Sequence, residues 1–333
     1  MHQERENGMT MKEKEGILLK SGTNELEIIE IYIDEEDGYR GYYGVNVAKV
    51  LEIINMPANV NRPPNSADFV KGVFNHRGKV IMLLDLAAWL GRKRVEKEKQ
   101  IVVITEFNNI TSAFLVSGVT RIHRTSWGNI KSVDNYMQNF CDAITGMVLL
   151  EGRTVLMLDL ERVLGELDPR LAVPAGKPEE EIQEIPDTKI AGIKMPIRVL
   201  HADDSKIIRH SVKELLEKDK EFIVTSTADG KAAWNCLIEL KNKAADLRKD
   251  VNGFVDIVLS DIEMPEMDGY SLCQKIKNDQ ELKKLPVVLF SSLITDKLRH
   301  KGISVGADAQ FAKPNPVELV HDLKEILSQR LSV

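Results

Sequence analysis

Apolar residues in the C-terminal third of the chain fall into short runs separated by stretches with helical spacing. The runs Ile197-Arg198-Val199-Leu200, Asp256-Ile257-Val258-Leu259, Val287-Val288-Leu289-Phe290 and Ala309-Gln310-Phe311 read as buried strands, and Phe222-Ile223-Val224 as another. Between the first two strands, Ile207, Ile208, Val212, Leu215 and Leu216 form one stripe of a helix over Lys206 to Lys218, with Ser205 as its N-cap. Lys231 to Leu247 predicts a second helix, continuing to Lys249 if the last turn holds. Leu272 to Ile276 predicts a third and Lys297 to Ile303 a fourth. Leu319, Val320, Leu323, Ile326 and Leu327 mark the inner face of a last helix, Val317 to Leu331. Five β-α units in this order predict a doubly wound, flavodoxin-like α/β domain with a five-stranded parallel sheet covered on both faces.

The N-terminal half follows another rule. Shifted by 74 positions without a gap, Ile28-Ile29 falls on Val102-Val103, Gly44-Val45 on Gly118-Val119, and Gly72 on Gly146. Gly78 falls on Gly152, Leu84-Asp85-Leu86 on Leu158-Asp159-Leu160, and Leu90-Gly91 on Leu164-Gly165. The segments around Gly78 and Gly152 are rich in Val, Ile and Leu and bounded by glycines, as hairpins of buried strands are. The repeat predicts an all-β unit of two small antiparallel copies, two SH3-like barrels packed together. Arg92 to Lys99, where Lys and Glu interleave, reads as a solvated loop between them.

Five prolines and the run Glu179-Glu180-Glu181 between Gly165 and Pro196 read as a semi-extended linker. The expected organisation is a disordered tail over 1–24, a β domain over 25–167, a linker over 168–195 and an α/β domain over 196–333. The 333 residues suffice for such a multidomain chain, and 43% hydrophobic content lets each half bury a core. A net charge of -6 speaks against nucleic acid as a partner. Val80 to Leu90, the longest apolar stretch, is interrupted by Asp85 and too short for a bilayer, so no membrane insertion is expected. The charged start carries no secretory signal, and Cys141, Cys236 and Cys273 have no paired spacing; both point to a reducing, cytoplasmic location.

In an open parallel sheet, ligands gather beyond the carboxyl ends of the strands. There this sequence places Asp203 and Asp204, Asp261, Ser291 and Lys313, each just past a strand. Three converging carboxylates repel one another and raise at least one pKa, unless a cation such as Mg²⁺, which prefers hard oxygen ligands, joins them. Asp203, Asp204 and Asp261, with the backbone carbonyl of Glu263, are the expected ligands. Asp261 is the candidate nucleophile toward a phosphoryl group, Lys313 the point charge offsetting it, and Ser291 a hydrogen-bond donor to it.

The motifs Ala202-Asp-Asp-Ser205, Ser260-Asp-Ile-Glu-Met-Pro-Glu-Met-Asp-Gly269, Phe290-Ser-Ser292 and Lys313-Pro314 resemble those of the receiver-domain family of two-component signalling, over roughly Ile197 to Leu331. The resemblance implies Mg²⁺-dependent phosphorylation of Asp261 by a histidine kinase, with Gly269 easing the turn after the phosphorylation loop. Gln310 stands where the family often has the aromatic ring that swings inward on phosphorylation. Output then runs through helix and loop shifts, and phosphorylation serves as a phosphate sink as well as a switch. Alternatives from the same residues are a degenerate receiver acting as an unphosphorylated scaffold, and an aspartyl-nucleophile phosphatase with Glu263 as general acid. A DNA-binding regulator is disfavoured, since no basic recognition helix follows the last helix.

The stretch Phe69-Val-Lys-Gly-Val-Phe-Asn-His-Arg-Gly-Lys-Val-Ile-Met-Leu-Leu-Asp-Leu86 resembles the core of the CheW family of chemotaxis coupling proteins, over roughly Leu26 to Gly165, with His76 in place of the usual apolar residue. The resemblance gives Arg77 a role in contacting chemoreceptors, beside the plainer reading of an exposed turn residue. A coupling domain followed by a receiver is the arrangement of CheV proteins. It implies a non-enzymatic adaptor recruited to membrane-associated arrays, linking chemoreceptors to a histidine kinase. Other conspicuous residues are expected to be structural: His201 hydrogen-bonded within the sheet, His123 and His300 at the surface, and Trp127 packed over a barrel end.

Overall fold

The computed structural model describes residues 24–96, 99–107, 110–133, 143–167, 195–291, 296–313 and 316–331. The expected tail up to residue 23 and the linker over 168–194 lie outside the described residues. Asn24 does not belong to a tail: its side chain bonds Ser126 at 3.3 Å.

The β domain runs β1 (Glu25–Asp34), β2 (Arg40–Asn46), β3 (Val50–Asn55), β4 (Val70–His76), β5 (Lys79–Asp85) and the short α1 (Leu86–Trp89). It continues with β6 (Ile101–Phe107), β7 (Ile110–Val116), β8 (Gly118–Ser126), β9 (Lys131–Ser132), β10 (Ile144–Leu150), β11 (Arg153–Leu158) and α2 (Leu160–Leu167). The strands form two sheets, in the orders β8-β1-β2-β11-β10-β9 and β3-β6-β7-β5-β4.

The repeat is real, yet neither sheet is one copy of it. Each sheet joins two strands of one copy to three or more of the other, through the parallel pairs β2·β11 and β5·β7. The all-β unit of two packed sheets is as expected; the strands are shared, so neither sheet is built from one copy or wholly antiparallel. The gapless alignment also fails at one place. Met82 pairs with Ser112 as Leu156 pairs with Tyr43, so Ser112 rather than Ser117 takes the place of Tyr43. Elsewhere the equivalence extends to backbone detail. Both hairpins turn on a left-handed pair, Arg77-Gly78 (φ 51° and 84°) and Glu151-Gly152 (φ 49° and 78°), the conformation that matches strand twist in a two-residue turn. The register shifts one strand-length earlier, at Gly72 and at Gly146.

Strand alternation explains the cores. Leu26 and Ile28 of β1 face Trp127, Ile130, Val148 and Val155 inside the first sheet, while Ile29, Ile31 and Ile33 face the second. In β6, Val102 and Ile104 line the second sheet's interior, and Val103 points back. β1 is therefore covered on both faces in its middle, where Ile28, Ile29, buried Glu30 and Ile31 follow one another instead of alternating with exposed residues. Leu86 and Ala87 of α1 and Leu160, Val163 and Leu164 of α2 fill the space between the sheets. Trp127 packs as expected. Arg94 is not solvated: it is buried, 3.4 Å from buried Asp85.

The second domain carries β12 (Ile197–Ala202), α3 (Lys206–Glu217), β13 (Phe222–Thr227), α4 (Gly230–Asp246) and β14 (Ile257–Asp261). Then come α5 (Gly269–Asn278), β15 (Val287–Ser291), α6 (Asp296–Ser304), β16 (Ala309–Ala312) and α7 (Pro316–Leu331). The parallel sheet has the order β13-β12-β14-β15-β16. Leu200, Ala202, Val258 and Leu289 bury one face against α4 and α5. Val199, Ile257, Leu259, Val288 and Phe290 bury the other against α3 and α7. Ser205 caps α3 by accepting from the Ile208 amide, as the sequence predicts. α4 stops at Asp246 rather than Lys249, where Arg248 turns left-handed (φ 50°).

Candidate functional site: an acidic crevice at the strand ends

Register puts the chemistry in one place. Ala202 pairs with Ser260, Asp261 with Phe290, and Ser291 with Ala312, so four neighbouring strands end level. Asp203 and Asp204 follow β12, Asp261 and Ser291 end β14 and β15, and Lys313 follows β16. One carboxylate oxygen from each of Asp203, Asp204 and Asp261 lies within 4.8 Å of the others. The Lys313 ammonium stands 2.7 Å from Asp203 Oδ2 and 3.0 Å from Asp261 Oδ2. Its backbone amide donates to the Ser291 carbonyl at 2.7 Å, which fixes the start of the side chain. Ser291 itself is buried.

The acids are oriented locally. The Ser205 amide donates to Asp203 Oδ1 at 2.9 Å, and the Ile262 amide to Asp261 Oδ1 at 2.7 Å. Arg209, on the first turns of α3, donates to the carbonyls of Asp203 (2.6 Å) and Asp204 (2.9 Å). Sequence reasoning passed over Arg209; its position one helical turn past the N-cap was the available signal. Gly269 serves close approach rather than an unusual backbone, because a Cβ there would clash with the Asp261 carbonyl oxygen. The left-handed residue of this loop is Glu266 (φ 62°).

Burial and mutual repulsion shape the charges. Burial pushes the Asp261 carboxyl up to about 7, against the pull of Lys313 and with a further push from Asp203. Asp204 lies well above the usual carboxylate range through burial and its neighbours Asp261 and Asp203. Burial works against the Lys313 ammonium, but Asp203 and Asp261 outweigh it and hold its pKa above the ordinary lysine value. Such a donor set is hard, anionic and short of positive charge, which suits a divalent cation with oxygen preference. The same crevice, with one cation and an ammonium, can hold a phosphoryl group against a carboxylate.

Glu263 meets different partners. Its carboxylate accepts from Asn46 Nδ2 at 2.8 Å and lies 2.9 Å from Lys49 Nζ, both on the β domain. His201 is buried with neither ring nitrogen bonded among the described residues, and burial lowers it to about 4, so the expected ring hydrogen bond is corrected. A fully buried neutral imidazole fills volume under the crevice. His123 is likewise not superficial: it is buried, 2.7 Å from the buried Glu30 carboxylate, which Arg153 also reaches at 3.0 Å. His300 is exposed. Arg77 sits at the tip of its hairpin, far along the chain from the crevice, with 75% of its side chain exposed and its guanidinium 3.0 Å from Glu52. Gln310 donates to the Arg299 carbonyl at 2.8 Å, tying β16 to α6. Pro314 lies outside the described residues.

A parallel sheet of this order with three acids, a hydroxyl and a lysine at its carboxyl edge defines a receiver, here joined to a two-sheet β module. Family comparison agrees: the CheW-like domain matches residues 29–168 and the response regulator receiver domain matches residues 199–324. The chain is 36% identical over 326 residues to the chemotaxis protein CheV3 of Helicobacter pylori, covering 96% of this chain and 99% of that protein. CheV2 of the same organism is 25% identical over 318 residues, covering 92% and 96%. The chemotaxis protein CheW of Thermotoga maritima is 26% identical over 149 residues, covering 45% of this chain and 94% of that one. The chain belongs to the CheV family of chemotaxis proteins: it is a coupling adaptor with a phosphorylatable receiver.

Proposed function

We propose that Asp261 is the phosphoacceptor, and that a chemotaxis histidine kinase supplies the phosphoryl group. Asp203, Asp204, Asp261 and the Glu263 carbonyl are the candidate Mg²⁺ ligands; when bound, the ion supplies positive charge against the acids and the incoming phosphoryl oxygens. An Asp261 carboxylate oxygen attacks phosphorus, the bond to the donor imidazole nitrogen breaks, and the nitrogen keeps the electron pair. An acyl phosphate results, later cleaved by water. Lys313 holds one phosphoryl oxygen by charge, and Ser291 donates a hydrogen bond to another. The carrying observation is the three-carboxylate cluster within 4.8 Å with Lys313 reaching two of its members.

The β domain is proposed to meet the cytoplasmic tips of chemoreceptors, with Arg77 as the contact at its exposed turn, and so to recruit the chain to membrane-associated arrays in the cytoplasm. The acyl phosphate carries about -1.5 to -2 where the carboxylate carried -1, and this added charge then tunes the coupling. Turnover is not part of this reading. A phosphatase would need the Glu263 side chain as general acid, and Asn46 and Lys49 occupy both of its oxygens. Phosphotransfer from purified kinase, with and without Mg²⁺, is the test. Labelling is expected in wild type with Mg²⁺ and absent from Asp261→Asn; equal labelling of the two proteins defeats the proposal.

A further inference from the structure

The loop that follows Asp261 is held from outside its own domain. Lys49, on the turn after β2, bridges Glu161 of α2 at 2.6 Å and Glu263 at 2.9 Å, while Asn46 takes the other Glu263 oxygen. Three residues further along, the Glu266 amide donates to the Ile130 carbonyl at 3.2 Å, and the Glu266 carboxylate lies 3.4 Å from Lys131. The Asp268 amide donates to Asn24 Oδ1 at 3.1 Å. Glu266 adopts its left-handed backbone here, a conformation that is unfavourable for a residue with a Cβ and persists where surroundings fix it. Each of these anchors joins the receiver's loop to the coupling domain.

We infer that the coupling-domain face formed by Asn24, Asn46, Lys49, Ile130 and Lys131 is a binding surface for the phosphoacceptor loop of the same chain, and that its occupation and phosphorylation of Asp261 exclude one another. This rests on the assignment of Asp261 above. Two physical reasons carry the exclusion. With the loop docked, Asp261 is only 5% exposed, and the loop that must give way to an incoming donor is pinned at Glu263, Glu266 and Asp268. Phosphorylation also replaces the single charge of the carboxylate by the charge of about -1.5 to -2 of an acyl phosphate, on a crevice whose loop already shares Lys49 with the coupling domain's Glu161. The nearness of Glu161 is geometric: Lys49 lies 2.6 Å from it and 2.9 Å from Glu263, two residues past Asp261. Linkage makes the effect mutual, so whatever weakens docking speeds phosphorylation, and phosphorylation frees the surface.

Amide hydrogen exchange on the full chain reads the surface directly. The Glu266 and Asp268 amides have acceptors across the interface, whereas the Gly269 amide donates to Ile262 inside the receiver and serves as control. Mg²⁺ with beryllofluoride, a phosphoryl mimic, is expected to speed exchange at 266 and 268 at least tenfold and leave 269 unchanged. Lys49→Gln and the surface change Lys131→Glu are expected to do the same without the mimic. Both variants should also accept phosphate from acetyl phosphate several-fold faster than wild type. Normal labelling of Asp261 with unchanged exchange at 266 and 268, or variants labelled no faster than wild type, overturns the exclusion alone. Failure of every protein to label at Asp261 removes the phosphoacceptor assignment, and the exclusion with it.

Discussion

The two copies of the β repeat share a backbone and differ in what surrounds it. Asp85 and Asp159 stand at the same place, and each caps a helix by accepting from the amides two and three residues on. Asp85 turns inward to Arg94 (3.4 Å) and Lys71 (3.3 Å). Asp159 faces the receiver, and its carboxyl is raised to about 6 by burial and by Glu161, against the pull of Lys49. The hairpin tips differ in sign: Arg77 leans on Glu52, whereas Glu151 pairs with Arg121 at 2.7 Å. Duplication thus yields two versions of one platform. In this chain the first copy keeps its acid for its own stability and offers a cation outward, and the second turns its acid toward a partner domain.

Breaking the equivalence at the caps should have the largest effect. Asp85→Ala loses a cap and strands a buried guanidinium, at a cost of about 3–5 kcal/mol. Asp159→Ala loses a cap and a carboxylate near Lys49 but strands no buried guanidinium, about 1 kcal/mol. Urea unfolding of the two variants measures the difference, and equal losses would contradict the contrast drawn between the copies.

Next comes the charge of the crevice that the second copy faces. Between the ordinary carboxyl value of 3.8 and about 7, the folded chain keeps a proton on Asp261 that the unfolded chain releases. The unfolded state binds fewer protons in that window, so this group's contribution makes stability fall as pH rises through it and level off above. Thermal melts without divalent ion should show the decline, and Mg²⁺ at pH 8 should recover the loss. A metal-free stability that climbs from pH 4 to 7 and ignores Mg²⁺ would count against the acidic site.

A smaller effect separates the hairpin tips. Arg77→Glu should weaken recruitment to receptor–kinase assemblies about tenfold, roughly 1.4 kcal/mol, with stability and Asp261 labelling unchanged. Glu151→Arg should leave recruitment as it is. Sedimentation with receptor-bearing membranes distinguishes the two. Smallest is Gln310→Ala, which removes the bond to Arg299 and should cost the receiver about 1 kcal/mol in denaturant unfolding.

Much of this was legible in the sequence because it depends on short-range rules. A parallel strand buried on both faces must be an apolar run, so the place of Asp203, Asp204, Asp261, Ser291 and Lys313 just beyond four such runs foretold that they converge. The hairpin at Gly78 and its counterpart at Gly152 were legible through the glycines that left-handed turns favour. Hidden were features set by pairing between distant segments. Strand exchange leaves no mark on either copy, since each strand buries the same face whichever copy lies beside it. His123 and Arg94 read as surface residues because their buried partners, Glu30 and Asp85, lie on other strands. The contact of Lys49 with Glu263 spans the two domains, and nothing in either local pattern foretells it.

The account stands on which residue takes the phosphoryl group. Borohydride trapping of the acyl phosphate, followed by mass spectrometry of the full chain phosphorylated in Mg²⁺, identifies it. Modification confined to Asp261 and lost on chelation of the metal is the expected result. Modification at another residue, or at Asp261 to the same extent without divalent ion, contradicts it.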